Sequence, residues 1–200
     1  MQQDHQAIIC ALRAHGEHGV IARALTRDAG LVAGYVRGGR SRILRPVLMP
    51  GNMVMLSLKG RTTGQLPGMT VELIGSRAGL MEDPMAAAGM DWACALVAAT
   101  LPEEQVYGEI FEALDGLLGV MEAAPSARRW AGAMLLFERL LMRALGYGGE
   151  AGSLADDWPQ VLAGLNANGA RLARHLLNER QRDILPARER MVDRFKRAVA

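Results

Sequence analysis

The sequence predicts an α+β protein: a closed barrel of five strands over residues 1–80, followed by an all-α domain over residues 81–200. Three observations carry the prediction. Up to Ile74, short runs of apolar and β-branched residues alternate with glycine-containing breaks, as strands joined by turns do. From Asp83 onward the apolar residues recur at helical spacing behind proline-containing start signals. Of the 200 residues, 50% are hydrophobic and only 8 are proline, enough apolar side chain for a real core and too little biased sequence for a linker or tail.

The barrel strands follow in order. Gln6 to Ala14 is the first, broken by His15-Gly16-Glu17-His18-Gly19, and Val20 to Thr26 resumes with rough alternation as the second arm of a hairpin. Arg27-Asp28-Ala29-Gly30 has the Asp and Gly of a tight turn, and Leu31 to Val36 is the third strand. Gly38-Gly39 opens a loop, Arg37 to Pro50, holding four arginines and two prolines. Met53 to Lys59 and Met69 to Ile74 are the last two strands, around Gly60 to Gly68. So small a sheet leaves costly open edges unless it closes, which points to a barrel of the oligonucleotide-binding OB type.

The helices are equally ordered. Asp83-Pro84 is an N-cap followed by proline at the first helical position, opening a helix to about Thr100. Pro102-Glu103-Glu104 opens a second, with Val106, Ile110, Leu114, Leu117 and Leu118 as its apolar stripe to about Ala123. Pro125-Ser126 starts a third, with Trp130, Met134, Phe137, Leu140, Leu141 and Leu145 buried and Gly146-Tyr147-Gly148-Gly149 stopping it. Trp158 to Leu177 and Ala187 to Val199 are the last two.

The formal net charge is +2, a small total that conceals a strong segregation. Residues 1–75 carry nine Lys/Arg against four Asp/Glu, residues 76–170 five against thirteen, and residues 171–200 nine against four. Both basic segments are therefore +5 and the middle one is −8. This predicts that the barrel and the last helices share a positive face, with the acidic helices turned away. Of 23 basic residues all but Lys59 and Lys196 are arginine, which fits either a GC-rich coding bias or bidentate phosphate chemistry.

Several function classes are disfavoured. Cys10 and Cys94 lie too far apart in sequence for a disulfide framework or a zinc motif, and Cys10 falls in a strand where a small buried hydrophobe is expected. No basic n-region precedes an apolar core, and Asp91 interrupts the longest apolar tract, so a soluble cytoplasmic protein without a membrane span is expected. No nucleophile elbow, Walker loop or dinucleotide fingerprint occurs. His15 and His18 flank a turn at a spacing that matches no metal motif, and the acidic pairs Glu103-Glu104 and Asp156-Asp157 sit where helix dipoles favour them. Neither an enzyme nor a metal or cofactor site is implied.

Binding is better supported. Arg37, Arg40, Arg42 and Arg45 crowd one glycine-loosened loop beside Tyr35, the single aromatic residue of the predicted strands, and Lys59 and Arg61 lie on the same domain. Such a cluster neutralises phosphates while a ring stacks a base. The alternative is a solvated loop. Arg188, Arg194 and Arg197 near the terminus invite the same reading. Arg128-Arg129-Trp130 with Arg139 sets positive charge beside a large apolar side chain, a combination suited to an acidic peptide tail.

These residues resemble a known family, the bacterial recombination mediator RecO. The resemblance is carried by Gly16-Glu17, by Leu25-Thr26-Arg27-Asp28-Ala29-Gly30, by Val36-Arg37-Gly38-Gly39-Arg40-Ser41-Arg42 and by Pro46 to Gly51. In the helical half it is carried by Leu136 to Leu141, Ala144-Leu145-Gly146-Tyr147-Gly148 and Pro186-Ala187-Arg188. It implies an N-terminal OB-fold, a helical C-terminal domain and a non-catalytic role in recombinational repair. It further implies binding of single- and double-stranded DNA, strand annealing, contact with the acidic tail of SSB, and work with RecR to load RecA. The family's cysteine-rich hairpin has no counterpart between Gly149 and Asp157. Leu135-Leu136 stands where the family often has arginines, which moves the expected tail contact to Arg128, Arg129 or Arg139. A protein-interaction adaptor, with the barrel as scaffold, is the alternative function.

Overall fold

The computed structural model describes residues 4–60, 66–123, 126–148, 157–177 and 182–197. Five strands, β1 (Asp4–His15), β2 (Gly19–Thr26), β3 (Gly30–Val36), β4 (Met53–Lys59) and β5 (Gly68–Gly75), close into a barrel in the order β1-β2-β3-β5-β4, with β4 returning to β1. All neighbours are antiparallel except β3 and β5, which run parallel and meet at the single register pair Tyr35 and Gly68. This is the OB arrangement that the glycine-punctuated strands predict.

The outer face of the barrel does not all meet water. Ala7 and Ile9 of β1 fill the barrel interior with Val20, Ala24, Val32 and Val54, whereas Ile8 and Cys10 face outward into a second core shared with the helices. Burial on both faces explains why β1 reads as a continuous apolar run rather than a clean alternation. Leu25, Leu31 and Met53 join the same outer core.

Five α-helices follow among the described residues: α1 (Pro84–Thr100), α2 (Gly108–Ala123), α3 (Ala127–Ala144), α4 (Trp158–His175) and α5 (Leu185–Arg197). Asp83 Oδ1 accepts from the Met85 N–H at 2.8 Å, the predicted cap of α1. None of these helices is long and apolar enough to cross a membrane. The second helix starts later than Pro102. Because β3 meets β5 only at Tyr35, the Leu31 end of β3 is an open edge, and the segment from Glu103 covers it: the Glu104 N–H donates to Leu31 O at 2.9 Å. Gly30, at φ 76°, sits so close to the Gln105 backbone that a Cβ there would collide with it. Val106, expected in the apolar stripe, is therefore exposed, and helical bonding begins only at Tyr107.

Cys94 on α1 and Cys10 on β1 are free thiols buried at the seam between barrel and helices. Hydrogen bonding to Cys10, with burial adding to it, pushes the Cys94 thiol well above its ordinary pKa. A folded-state pKa raised in this way contributes stability that is complete below the unfolded thiol value, about 8.5, and declines as pH rises past it. A thiol-reactive disulfide reagent at pH 8 should consequently label Cys94 only at the rate of global unfolding; rapid stoichiometric labelling of the native protein would contradict this placement.

Candidate nucleic-acid interface

The barrel has two chemically different ends. At one end β1 stops at His15, β2 starts at Gly19, β3 stops at Val36 and β5 starts at Gly68. The other end, with the β2–β3 turn and the start of β4, docks against the helices through Leu25, Leu31 and Met53.

Basic residues near the helices are paired with carboxylates of the helical domain. Arg23 reaches Glu103 at 3.1 Å and donates to Ala98 O at 2.5 Å. Arg27 pairs with Glu112 at 2.6 Å while lying over the Phe111 ring. Arg77 bridges Asp115, at 2.8 Å, and Glu122 of α2. The acidic helices are thus not turned away from the barrel as the charge pattern suggests: part of the −8 segment is the counter-charge of the barrel itself.

The predicted binding arginines lie elsewhere. Arg37, Arg40, Arg42 and Arg45 are all exposed, and among the described residues none of them, nor Lys59, forms an ion pair. Among the described residues, barrel arginines without an ion pair therefore collect towards the end distal to the helices. Arg61 lies outside the described residues.

The segment that carries the arginines is more ordered than a glycine-loosened loop. Ser41 Oγ accepts from the Leu44 N–H at 3.2 Å, and the Arg45 and Leu48 N–H groups donate to Ser41 O and Leu44 O, one helical turn back. Leu48 packs into the barrel core, with Leu44 and Val47 against it. Asn52, wholly buried, fastens the far side: its Nδ2 donates to Pro46 O at 2.8 Å and Val47 O at 3.1 Å, and its Oδ1 accepts from the Arg77 N–H at 2.9 Å. On the near side the Arg40 N–H and its Nη1 donate to His18 O and Glu17 O at the tip of the β1–β2 hairpin. Between hairpin and turn lies a groove of about 490 Å³ lined by Leu12, Val20, Gly39, Arg40, Arg45 and Leu48.

Tyr35 is not in that groove. It projects to the opposite face of the β2–β3 ribbon from Val36, covers Gly19, where a Cβ would strike the ring, and meets His15 edge-on at 5.8 Å. Lys59 and Tyr35 flank the start of β5 from its two sides, because both register with Gly68. The site is thus split: arginines on the groove, ring and lysine on an adjoining face. His15 and His18 are exposed at the tip of the β1–β2 hairpin, with His18 near Glu17. Among the described residues no group of acidic, His or Cys side chains is placed to hold a metal ion.

On the helical domain Arg128 and Arg129 are exposed at the start of α3, and Arg128 lies over the Trp158 ring, 5.7 Å from its centre. Arg139 is half-buried against Gly164, roughly 16 Å further along the helix, so Arg139 does not join the other two in one pocket. Nor do the terminal arginines form one surface. Arg188 is buried, and Arg194 donates to Pro84 O. Desolvation between α1 and α5 raises the Asp91 carboxyl pKa, which the nearby Arg190 opposes.

The sequence reading missed Asn52 and the buried network around Glu138. Glu138 Oε1 accepts from Trp92 Nε1 at 2.9 Å and Arg188 Nε at 2.8 Å; Oε2 accepts from Arg188 Nη2 at 2.9 Å and Asn168 Nδ2 at 3.1 Å. A signal was present. Glu138, Asn168 and Arg188 each occupy an apolar-stripe position, between Met134 and Leu141, between Leu165 and Leu172, and ahead of Met191, Val192 and Phe195.

Comparison with known proteins places this architecture. A family model described as Recombination protein O N terminal matches residues 1–77, and one described as Recombination protein O C terminal matches residues 81–151. The chain is 32% identical to a protein of Gluconacetobacter diazotrophicus over 240 aligned positions, covering 96% of this chain and 94% of that one. It is 32% identical to a protein of Rhodospirillum centenum, covering 99% and 96%, and 38% identical to one of Rhodospirillum rubrum, covering 75% and 64%. All three carry the name DNA repair protein RecO.

Proposed function

The chain belongs to the RecO family of recombinational DNA repair proteins, mediators rather than enzymes, and from that premise we propose that its barrel binds DNA through the distal arginines. One observation carries the reading: barrel cations beside the helices are paired, while Arg37, Arg40, Arg42 and Arg45 towards the far end, and Lys59 at the end of β4, have no carboxylate partner among the described residues. Unpaired guanidinium groups on a fixed turn neutralise phosphates and release counterions without choosing a sequence. Arg61 and Tyr35 complete the proposed surface, Tyr35 as a stacking ring. On the same premise we propose annealing of complementary strands, contact with RecR, docking of the acidic SSB tail on Arg128 and Arg129 with Arg139 as a separate outlying contact, and promotion of RecA loading.

The test is salt dependence. With about four phosphates neutralised, log affinity for single-stranded DNA should fall against log salt with a slope near 3, about 0.7 per contact. Changing Arg40 and Arg42 together to Ala should reduce that slope by roughly 1.4 and weaken all sequences alike. A flat slope, or no binding at low salt, overturns the reading. An acidic peptide titrated separately decides for the adaptor alternative if it alone binds.

A further inference from the structure

The groove beside the arginine turn has a composition that phosphate neutralisation does not require. Leu12 pairs with Ala22 across β1 and β2, so its side chain points to the barrel-interior face, yet it is 37% exposed because β1 and β2 overrun the end of the barrel there. Val20 and Leu48, both core residues, form the floor. Gly39 keeps the groove close to them, since a Cβ there would strike Val20 and Leu48. Arg40 and Arg45 provide the charge, and among the described residues no carboxylate lines the groove. Its volume, about 490 Å³, falls among small-ligand sites, which occur in barrel mouths as apolar clefts with a few placed polar groups.

We propose that this groove receives one unstacked nucleobase of single-stranded DNA, with the base against Leu12, Val20 and Leu48 and the flanking phosphates on Arg40 and Arg45. The inference rests on the DNA-binding reading and deepens it. The faces of a planar base gain by leaving water for such a floor, and Arg40, held by Glu17 O and His18 O, is positioned before the strand arrives. Bases of a paired duplex are stacked inside and cannot enter, so the groove selects single strands. A nucleic acid is favoured over an acidic peptide because exposed cations with no ion pair among the described residues continue beyond the groove at Arg37 and Arg42, a track that suits a run of phosphates.

The experiment compares the full chain's affinity for a short thymidine oligonucleotide with that for the same backbone carrying abasic sites throughout. The abasic strand should bind about 5–10-fold more weakly. Leu12→Asp, at a part-exposed position that leaves the barrel core intact, should abolish that difference; circular dichroism confirms its fold. Equal binding of both strands by the unaltered chain overturns the base site while the electrostatic reading stands. A difference that survives Leu12→Asp moves the base elsewhere and overturns the assignment. Failure of both strands to bind at low salt removes the DNA-binding reading itself. Binding of an acidic peptide that is lost in Leu12→Asp, with the two strands unaffected, gives the groove to a protein partner.

Discussion

Glu138→Ala should lower the unfolding free energy by about 3–5 kcal/mol, the cost of removing one member of a buried, hydrogen-bonded ion pair. The carboxylate is wholly buried and receives donors from three helices: Trp92 of α1, Asn168 of α4 and Arg188 of α5. The substitution strands the guanidinium, which retains Leu165 O at 2.5 Å and the face of the Trp92 ring. It also strands an indole N–H and an amide, each a buried donor with a desolvation cost of about 1–3 kcal/mol. Arg188→Ala should destabilise comparably by leaving the carboxylate without its cation. Because both variants break one network, the double variant should lose less than the sum by about 1–3 kcal/mol. Urea denaturation of the four proteins measures this cycle. Additive losses, or single losses near zero, would show that the network does not hold the helices together.

Asn52→Ala should cost about 2–4 kcal/mol and should weaken DNA binding without removing any charge. The side chain satisfies Pro46 O, Val47 O and the Arg77 N–H in a site closed to water, and each group left alone carries a desolvation penalty of about 1–3 kcal/mol. The functional part follows from position. Asn52 ties the arginine turn to the barrel, so its loss lets Arg40 and Arg45 sample many arrangements, and ordering them on binding then draws on the interaction energy. Affinity for single-stranded DNA should fall roughly 3- to 10-fold at fixed salt, while the salt slope stays as in the unaltered protein because the number of phosphates met is unchanged. That combination separates positioning from charge. A reduced slope would mean that Asn52 loss removes phosphate contacts outright, and unchanged affinity would mean that the turn needs no anchor.

The barrel was legible in the sequence because its strands are short and every break contains glycine. The first three helices announce themselves through Asp83-Pro84, Pro102 and Ser126. Pro102 misled only in part. Acidic residues after a proline look like a first helical turn, but the open edge of β3 competes for the same backbone, and a strand-like bond from Glu104 to Leu31 wins. That competition is tertiary and leaves no local trace. The arginine cluster was legible as charge, but its anchoring was not, since Asn52 between Gly51 and Met53 looks like one more turn residue. At the other end of the chain, Arg188 looks like part of a basic helical surface until its place in the stripe with Met191, Val192 and Phe195 is counted.

The division of the barrel's cations has a consequence for encounter. With Arg23, Arg27 and Arg77 paired with carboxylates of the helical domain and the distal arginines without an ion pair among the described residues, the barrel itself is electrically polarised, positive towards its far end. A polyanion drifting within a Debye length, about 10 Å at 0.1 M salt, exerts a torque before it touches anything. On the proposed DNA-binding reading, the barrel should meet a strand with its grooved end forward although the net charge is only +2. Added salt shortens the reach of that torque, so association should slow faster than dissociation quickens.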